Sequence, residues 1–267
     1  MGTPVLDRPR LRPRYARIGL LGLSLISATM LVFTGLVVAR LPEEAGFILP
    51  MLALALVATG LVWAFDTTWA RVVGIVVPLG LAVMMFWIAF GLLHPASFFD
   101  FVPAVMFLLG VGLALFGNVA AIVQRRRQHL DARATPTERH VEQAAVSLVV
   151  VAVVVSGALS LLARTSVDEA VAADAVEVEM VEFVFEPALI EVTGGAQLHV
   201  VNRDPFLHDI AVPDLGIETV DVPAGSDVLV DVPATPGTYV AYCTLHSNTA
   251  DTAPDPEEQM VATLVVR

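Results

Sequence analysis

The chain is 267 residues long, 56% hydrophobic and only 16% charged, with a formal charge of −12 and a mean hydropathy of +0.75. It is too apolar for a wholly soluble protein, and its length suits one large domain or two ordinary ones. A single cysteine, Cys243, excludes an internal disulfide, an iron–sulfur cluster, a four-cysteine zinc site and a two-cysteine dinuclear copper centre. From Thr165 onward 19 acidic residues face only Arg203 and Arg267, whereas the first 164 residues hold the other 13 basic residues, all arginine. A basic, apolar part therefore carries an acidic, soluble one. The acidic surface excludes nucleic acid as a partner, because phosphates would repel it.

Residues 1–17 hold Arg8, Arg10, Arg12, Arg14 and Arg17 with three prolines and read as a basic leader. The run 18–39 follows without a charge, long enough to cross a hydrocarbon core of about 30 Å as a helix. Ser27-Ala28 would also suit a cleaved signal peptide; the length of the run and the spans that follow it favour a retained helix. Further apolar runs at 47–65, 70–93, 98–123 and 146–163 bring the expected total to five helices. Pro78 predicts a kink within the third. Small residues from Gly110 to Gly117 predict close helix contact in the fourth.

The arginines of the leader and of the loop 124–140 lie on one side if all five runs span, and that side is expected to be the cytoplasm. The chain beyond Arg164 is then expected outside the plasma membrane, after a linker at 164–175. No span contains a histidine, which argues against a haem-bearing bundle. Arg71 and Asp100 fall at span ends, so the membrane part reads as an anchor or partner-binding surface more than a transporter.

From Val176 the pattern changes to short runs of Val, Ile, Phe and Tyr broken by Gly, Pro, Asn and Asp. Strands are expected near 176–185, 189–193, 197–202, 208–213, 217–222, 227–232, 237–243 and 260–266. Seven or eight strands in about 90 residues predict an all-β Greek-key sandwich over 176–267.

Four metal-ligand types fall at strand ends in that sandwich: His208 in Asp204-Pro-Phe-Leu-His-Asp-Ile, Cys243 and His246 in Tyr242-Cys-Thr-Leu-His, and Met260. Two imidazoles and a thiolate with a long thioether contact suit both oxidation states of copper. Taken alone, a bare Cys-x-x-His reads more readily as a buried structural cysteine beside a surface histidine, and the rest of the chain decides. The remaining histidines have plain readings, His199 as a cross-strand residue and His94, His129 and His140 as solvated loop residues. Tyr239 and Tyr242 are expected in the core and rim.

Residues 176–267 resemble the cupredoxin family, the plastocyanin-like and amicyanin-like blue copper domains. The likeness lies in Phe183-x-Phe-x-Pro187, Ile190-x-Val-x-x-Gly, Val201-Asn202-x-Asp, Phe-x-His208 and Pro236-Gly-Thr-Tyr-x-x-Tyr-Cys243-Thr-x-His246 ahead of Met260. It implies one type 1 copper ion with His208, Cys243 and His246 equatorial and Met260 axial. It also implies the Asp209 N–H near the thiolate and the His246 ring edge as electron exit. In the family the axial methionine usually follows the second histidine by about five positions, whereas Met260 follows His246 by fourteen. If the polar insertion 247–258 does not loop out, Gln259 or no residue takes the axial place.

The expected function is that of a membrane-anchored carrier of single electrons, exchanging them with a redox partner at the outer face, and not an enzyme. A catalytic copper would need further histidine clusters, and the domain holds only three histidines. The alternatives are a copper module for sensing, storage or delivery with the same ligands, and a sandwich that has lost its metal.

Overall fold

The computed structural model describes residues 14–40, 45–127, 136–163, 171–247 and 260–267. The leader before Arg14, residues 128–135 of the basic loop with His129, the linker at 164–170 and most of the insertion after His246, with Gln259, lie outside the described residues. Two compact units form. One draws on the chain before Ile88 together with 105–153, the other on 88–104 and 154–267.

Among the described residues five α-helices precede the strands: α1 (Arg14–Arg40), α2 (Ala45–Ala64), α3 (Thr68–Met84), α4 (Phe98–Arg127) and α5 (Pro136–Ala163). Four are long and apolar enough to cross a membrane, or five spans if α3 is joined to the 3-10 segment Phe86–Leu93 that follows it. Hydropathy marks only the part of a helix suited to lipid, so α4 and α5 continue past the apolar runs through the polar residues 124–127 and 137–143.

The third helix departs from expectation. Its backbone runs through Pro78 as part of α3, and the break comes later, at Met85, where the chain bends by 65° into the 3-10 segment. Beyond the bend, the backbone of Gly91 lies against that of Asp100. A Cβ on Gly91 would come within 2.4 Å of the Asp100 carbonyl oxygen, so only glycine permits this approach. The break thus falls at Met85 rather than at the proline.

In the first unit α1 and α4 meet through glycine. A Cβ on Gly117 would stand 2.0 Å from the Gly19 nitrogen, and one on Gly22 would stand 2.3 Å from the Ala114 nitrogen. Gly110 and Gly117, two helical turns apart on one face, carry the close contact, whereas Gly112 faces open space. A polar tie fastens the same helices. Arg71 is fully buried and donates to the Ala16 carbonyl (3.1 Å), to Asn118 Oδ1 (3.2 Å) and to Asp66 Oδ1 (2.7 Å). Arg125 closes on the same Asp66 oxygen at 2.5 Å. Arg71 thus joins α1, the α2–α3 turn and α4.

Among the described residues the second unit contains nine strands: β1 (Val176–Val181), β2 (Val184–Glu186), β3 (Leu189–Val192), β4 (Gln197–Asn202), β5 (His208–Val212), β6 (Ile217–Val222), β7 (Asp227–Asp231), β8 (Gly237–Tyr242) and β9 (Val261–Val266). They form two sheets, in the orders β2-β1-β4-β7 and β3-β9-β8-β5-β6. Pairings are antiparallel except β1 with β4 and β3 with β9. Alternate residues such as Val178, Met180, Leu198 and Val200 point into the core, as the period-two pattern requires. The expected strand 176–185 is instead two, because Glu182 and Phe183 take left-handed backbone angles (φ 52° and 61°) and turn the chain back on itself.

Candidate metal centre

Two loops bring the donors together. His208 opens β5, which lies beside β8 with Ala211 opposite Tyr242, and Cys243 follows β8 directly. His246 stands one turn further on, where its N–H donates to the Cys243 carbonyl at 3.4 Å. The result is a tight cluster. His208 Nδ1 lies 3.0 Å from His246 Nδ1, and Cys243 Sγ lies 3.9 Å from the first and 3.4 Å from the second. Bonds of about 2.0 Å to nitrogen and about 2.3 Å to sulfur place ligand atoms roughly 3.5–3.8 Å apart in a trigonal plane, so these three donors fit a single ion after small shifts.

His208 and Cys243 are fully buried, which excludes water from two of the three donors. Burial pushes the Cys243 thiol up to about 12, reinforced by the Asp209 carboxylate, and pushes His246 down to about 4. The site thus presents a protonated thiol and a neutral His246 at ordinary pH. Loading it must expel the Cys243 proton. Copper affinity is therefore expected to rise about tenfold per pH unit from about pH 7 to about pH 9. A competition titration with a chelator of known affinity checks this, and a flat profile would contradict it.

A second shell orients the donors. Asp204 Oδ2 lies 2.9 Å from His208 Nε2, so the carboxylate holds that nitrogen and turns Nδ1 toward the cluster. The same carboxylate accepts the N–H groups of Glu182 and Phe183, each at 2.9 Å, and so anchors the left-handed turn that splits the first expected strand. Burial works to raise the Asp204 pKa, but the hydrogen bonds from His208, Phe183 and Glu182 outweigh it and hold the carboxyl below its usual range. Phe183 then packs its ring edge-to-face with His208 (5.2 Å) and His246 (5.0 Å). Asn202 supports the arrangement by accepting the Asp204 N–H at 2.8 Å and donating to the Phe206 and Val222 carbonyls.

On the thiol side the Asp209 N–H points at Cys243 Sγ at 3.5 Å, as the resemblance implied. The Asp209 side chain accepts the Thr244 N–H at 2.6 Å and bonds its hydroxyl, locking the two ligand loops together. Met260 is buried, precedes β9 directly, and its carbonyl accepts the Cys243 N–H at 3.1 Å. His199 is a cross-strand residue as expected, tied to Asp227 at 2.7 Å. His94 is not simply solvated, since its Nδ1 lies 3.3 Å from Asp221. His140 is exposed, and Tyr239 and Tyr242 are half-buried.

The profile of the cupredoxin-like domain family matches residues 148–252. The C-terminal part of the chain is a cupredoxin-like domain. The match takes in His208, Cys243 and His246 and stops short of Met260. Solved structures similar to this domain include a copper-containing nitrite reductase from Thermus scotoductus, 25% identical with a TM-score of 0.28, covering 40% of this chain and 26% of that one. A reduced Cu(I) form of an amicyanin mutant is 18% identical with a TM-score of 0.30, covering 39% and 90% of the two chains. A purple cupredoxin from Nitrosopumilus maritimus is 16% identical with a TM-score of 0.26, covering 34% and 99%. The chain thus spans about a quarter of the nitrite reductase. No curated protein matches it. A cupredoxin-like domain with a buried His-Cys-His group supports a copper-binding module.

Proposed function

We propose that the chain is a membrane-anchored carrier of single electrons, with one type 1 copper ion held by His208, Cys243 and His246 and completed axially by Met260. The observation that carries this reading is the convergence of two imidazole Nδ1 atoms and one thiol sulfur within 3.9 Å of one another in a cupredoxin-like domain. Copper bound there supplies reversible one-electron chemistry. The residues supply rigidity. Asp204 and Phe183 fix the His208 ring, the Asp209–Thr244 bonds fix the thiol loop, and donors held this way need little rearrangement between oxidation states.

Met260 would complete the donor set, since it is buried, directly precedes β9 and its carbonyl accepts the Cys243 N–H. The apolar helices serve as anchor, and the arginine distribution favours an outward-facing domain that meets redox proteins at the outer face. The reading is of a carrier and not an enzyme, since the third histidine of the domain, His199, is already engaged by Asp227.

The test is the visible spectrum of the copper-loaded full chain. An intense thiolate-to-copper band, bleached by dithionite and restored by oxidation, is the expected result. A chain that binds Cu(I) tightly but shows no such band when oxidised would be a storage or delivery module instead.

A further inference from the structure

Residues 88–104 belong to the same compact unit as the β-domain, although the sequence reads them as the end of one span and the start of the next. The segment is tightly made. Gly91 lies against Asp100, the His94 N–H donates to the Gly91 carbonyl, and the Ser97 N–H donates to that of His94. The buried Ser97 hydroxyl bonds the Asp100 carboxylate and aims it outward from α4. The other partner of that carboxylate is the Leu207 N–H, at 2.8 Å, one residue before the donor His208. A second contact, His94 with Asp221, lies beside the first: Asp221 pairs with Asp209 in the β5–β6 register, and His208 pairs with Val222. Both contacts therefore grip the end of the β5–β6 ladder that carries His208. Leu207, in the loop before β5, is only 6% exposed.

We propose that segment 88–104 is a docking cradle for the ligand-bearing end of the β-domain, with Asp100 as a positioning residue for the loop that presents His208. An Asp carboxylate accepting a backbone N–H is a charge-assisted bond. It does for the 205–207 loop from outside the sandwich what Asp204 does for the ring from inside. The domain is thereby held in register with the segment rather than swinging on its linker. The docking itself stands whether or not the site is a type 1 centre; only the word positioning rests on the copper reading.

The experiment uses the full chain in lipid nanodiscs, in a Cys243→Ser background so that no native thiol competes. His94→Cys with Asp221→Cys is treated with a short bismaleimide, and a protease site placed in the linker at 164–170 is then cut. The two fragments are expected to stay joined on a denaturing gel. Fragments that separate would overturn the docking, and so would equal joining of a control pair, His94→Cys with Glu191→Cys.

A second measurement keeps the test independent of cross-linking. Amide hydrogen exchange of the peptide containing Leu207 should quicken about 10–100-fold in Asp100→Ala, and much less in Asp100→Asn, which keeps an acceptor oxygen. Exchange unchanged in Asp100→Ala would overturn the positioning role, while the visible spectrum of the native chain reports separately on the copper reading.

Discussion

Cys243→Ser is expected to abolish the intense visible absorption predicted for the copper-loaded chain and with it tight copper binding, while leaving the β-domain folded. Cys243 is the one cysteine of the chain and so its one source of a thiolate, and a serine hydroxyl neither ionises at neutral pH nor donates the charge-transfer intensity of a thiolate. Structure predicts a modest folding cost. The Cys243 side chain is buried with the Asp209 N–H beside it, and a hydroxyl can take over that bond, so about 1–3 kcal/mol covers the burial of the new polar group. Absorption and copper titration measure the first effect, and far-ultraviolet circular dichroism on heating measures the second. Retention of the band in the serine variant would remove Cys243 from the site.

The second large effect is expected at Asp204. Asp204→Ala removes one carboxylate from three donors at once, the His208 ring and the N–H groups of Glu182 and Phe183, of which His208 and Phe183 are buried. Stranded donors and a released left-handed turn cost on the order of 3 kcal/mol. Copper affinity falls about 10–100-fold, as for other carboxylate partners of a ligating histidine. Asp204→Asn separates charge from geometry. Its amide can accept from one N–H but presents its own donors to the rest, and the lost negative charge favours Cu(I), so the reduction potential rises. Chelator competition and redox titration measure these outcomes. An unchanged potential in Asp204→Asn would show that the carboxylate acts only as a structural anchor.

The parts of the site that were legible in the sequence are those set by local spacing. Cys243 and His246 share one turn, and His208 follows a recognisable Asn-x-Asp and Phe-x-His run, so their convergence needed only the sandwich to close. The role of Asp204 was not legible, because its partners lie 21 and 22 residues earlier. For the same reason the alternation over 176–185 concealed a turn at Phe183 that side-chain chemistry elsewhere imposes. The membrane part shows the same divide. Hydropathy located the helices, while neither the bend at Met85 nor the Gly91–Asp100 approach is recorded in any periodicity. The long interval before Met260 reads as a displacement of the axial ligand in sequence, yet Met260 returns to the Cys243 backbone because β9 must pair with β8.

That pairing also sets the order in which the domain can be made. β9 is a central strand, lying between β3 and β8, although it is the last of the nine to be synthesised. Until it emerges, β3 and β8 each offer a bare edge, and the Cys243 N–H lacks the Met260 carbonyl. Such late, non-local closure is slow, and unpaired edges invite association with other chains. The Cys243 backbone is therefore tied in place only once β9 has paired, after the rest of the sandwich has been made.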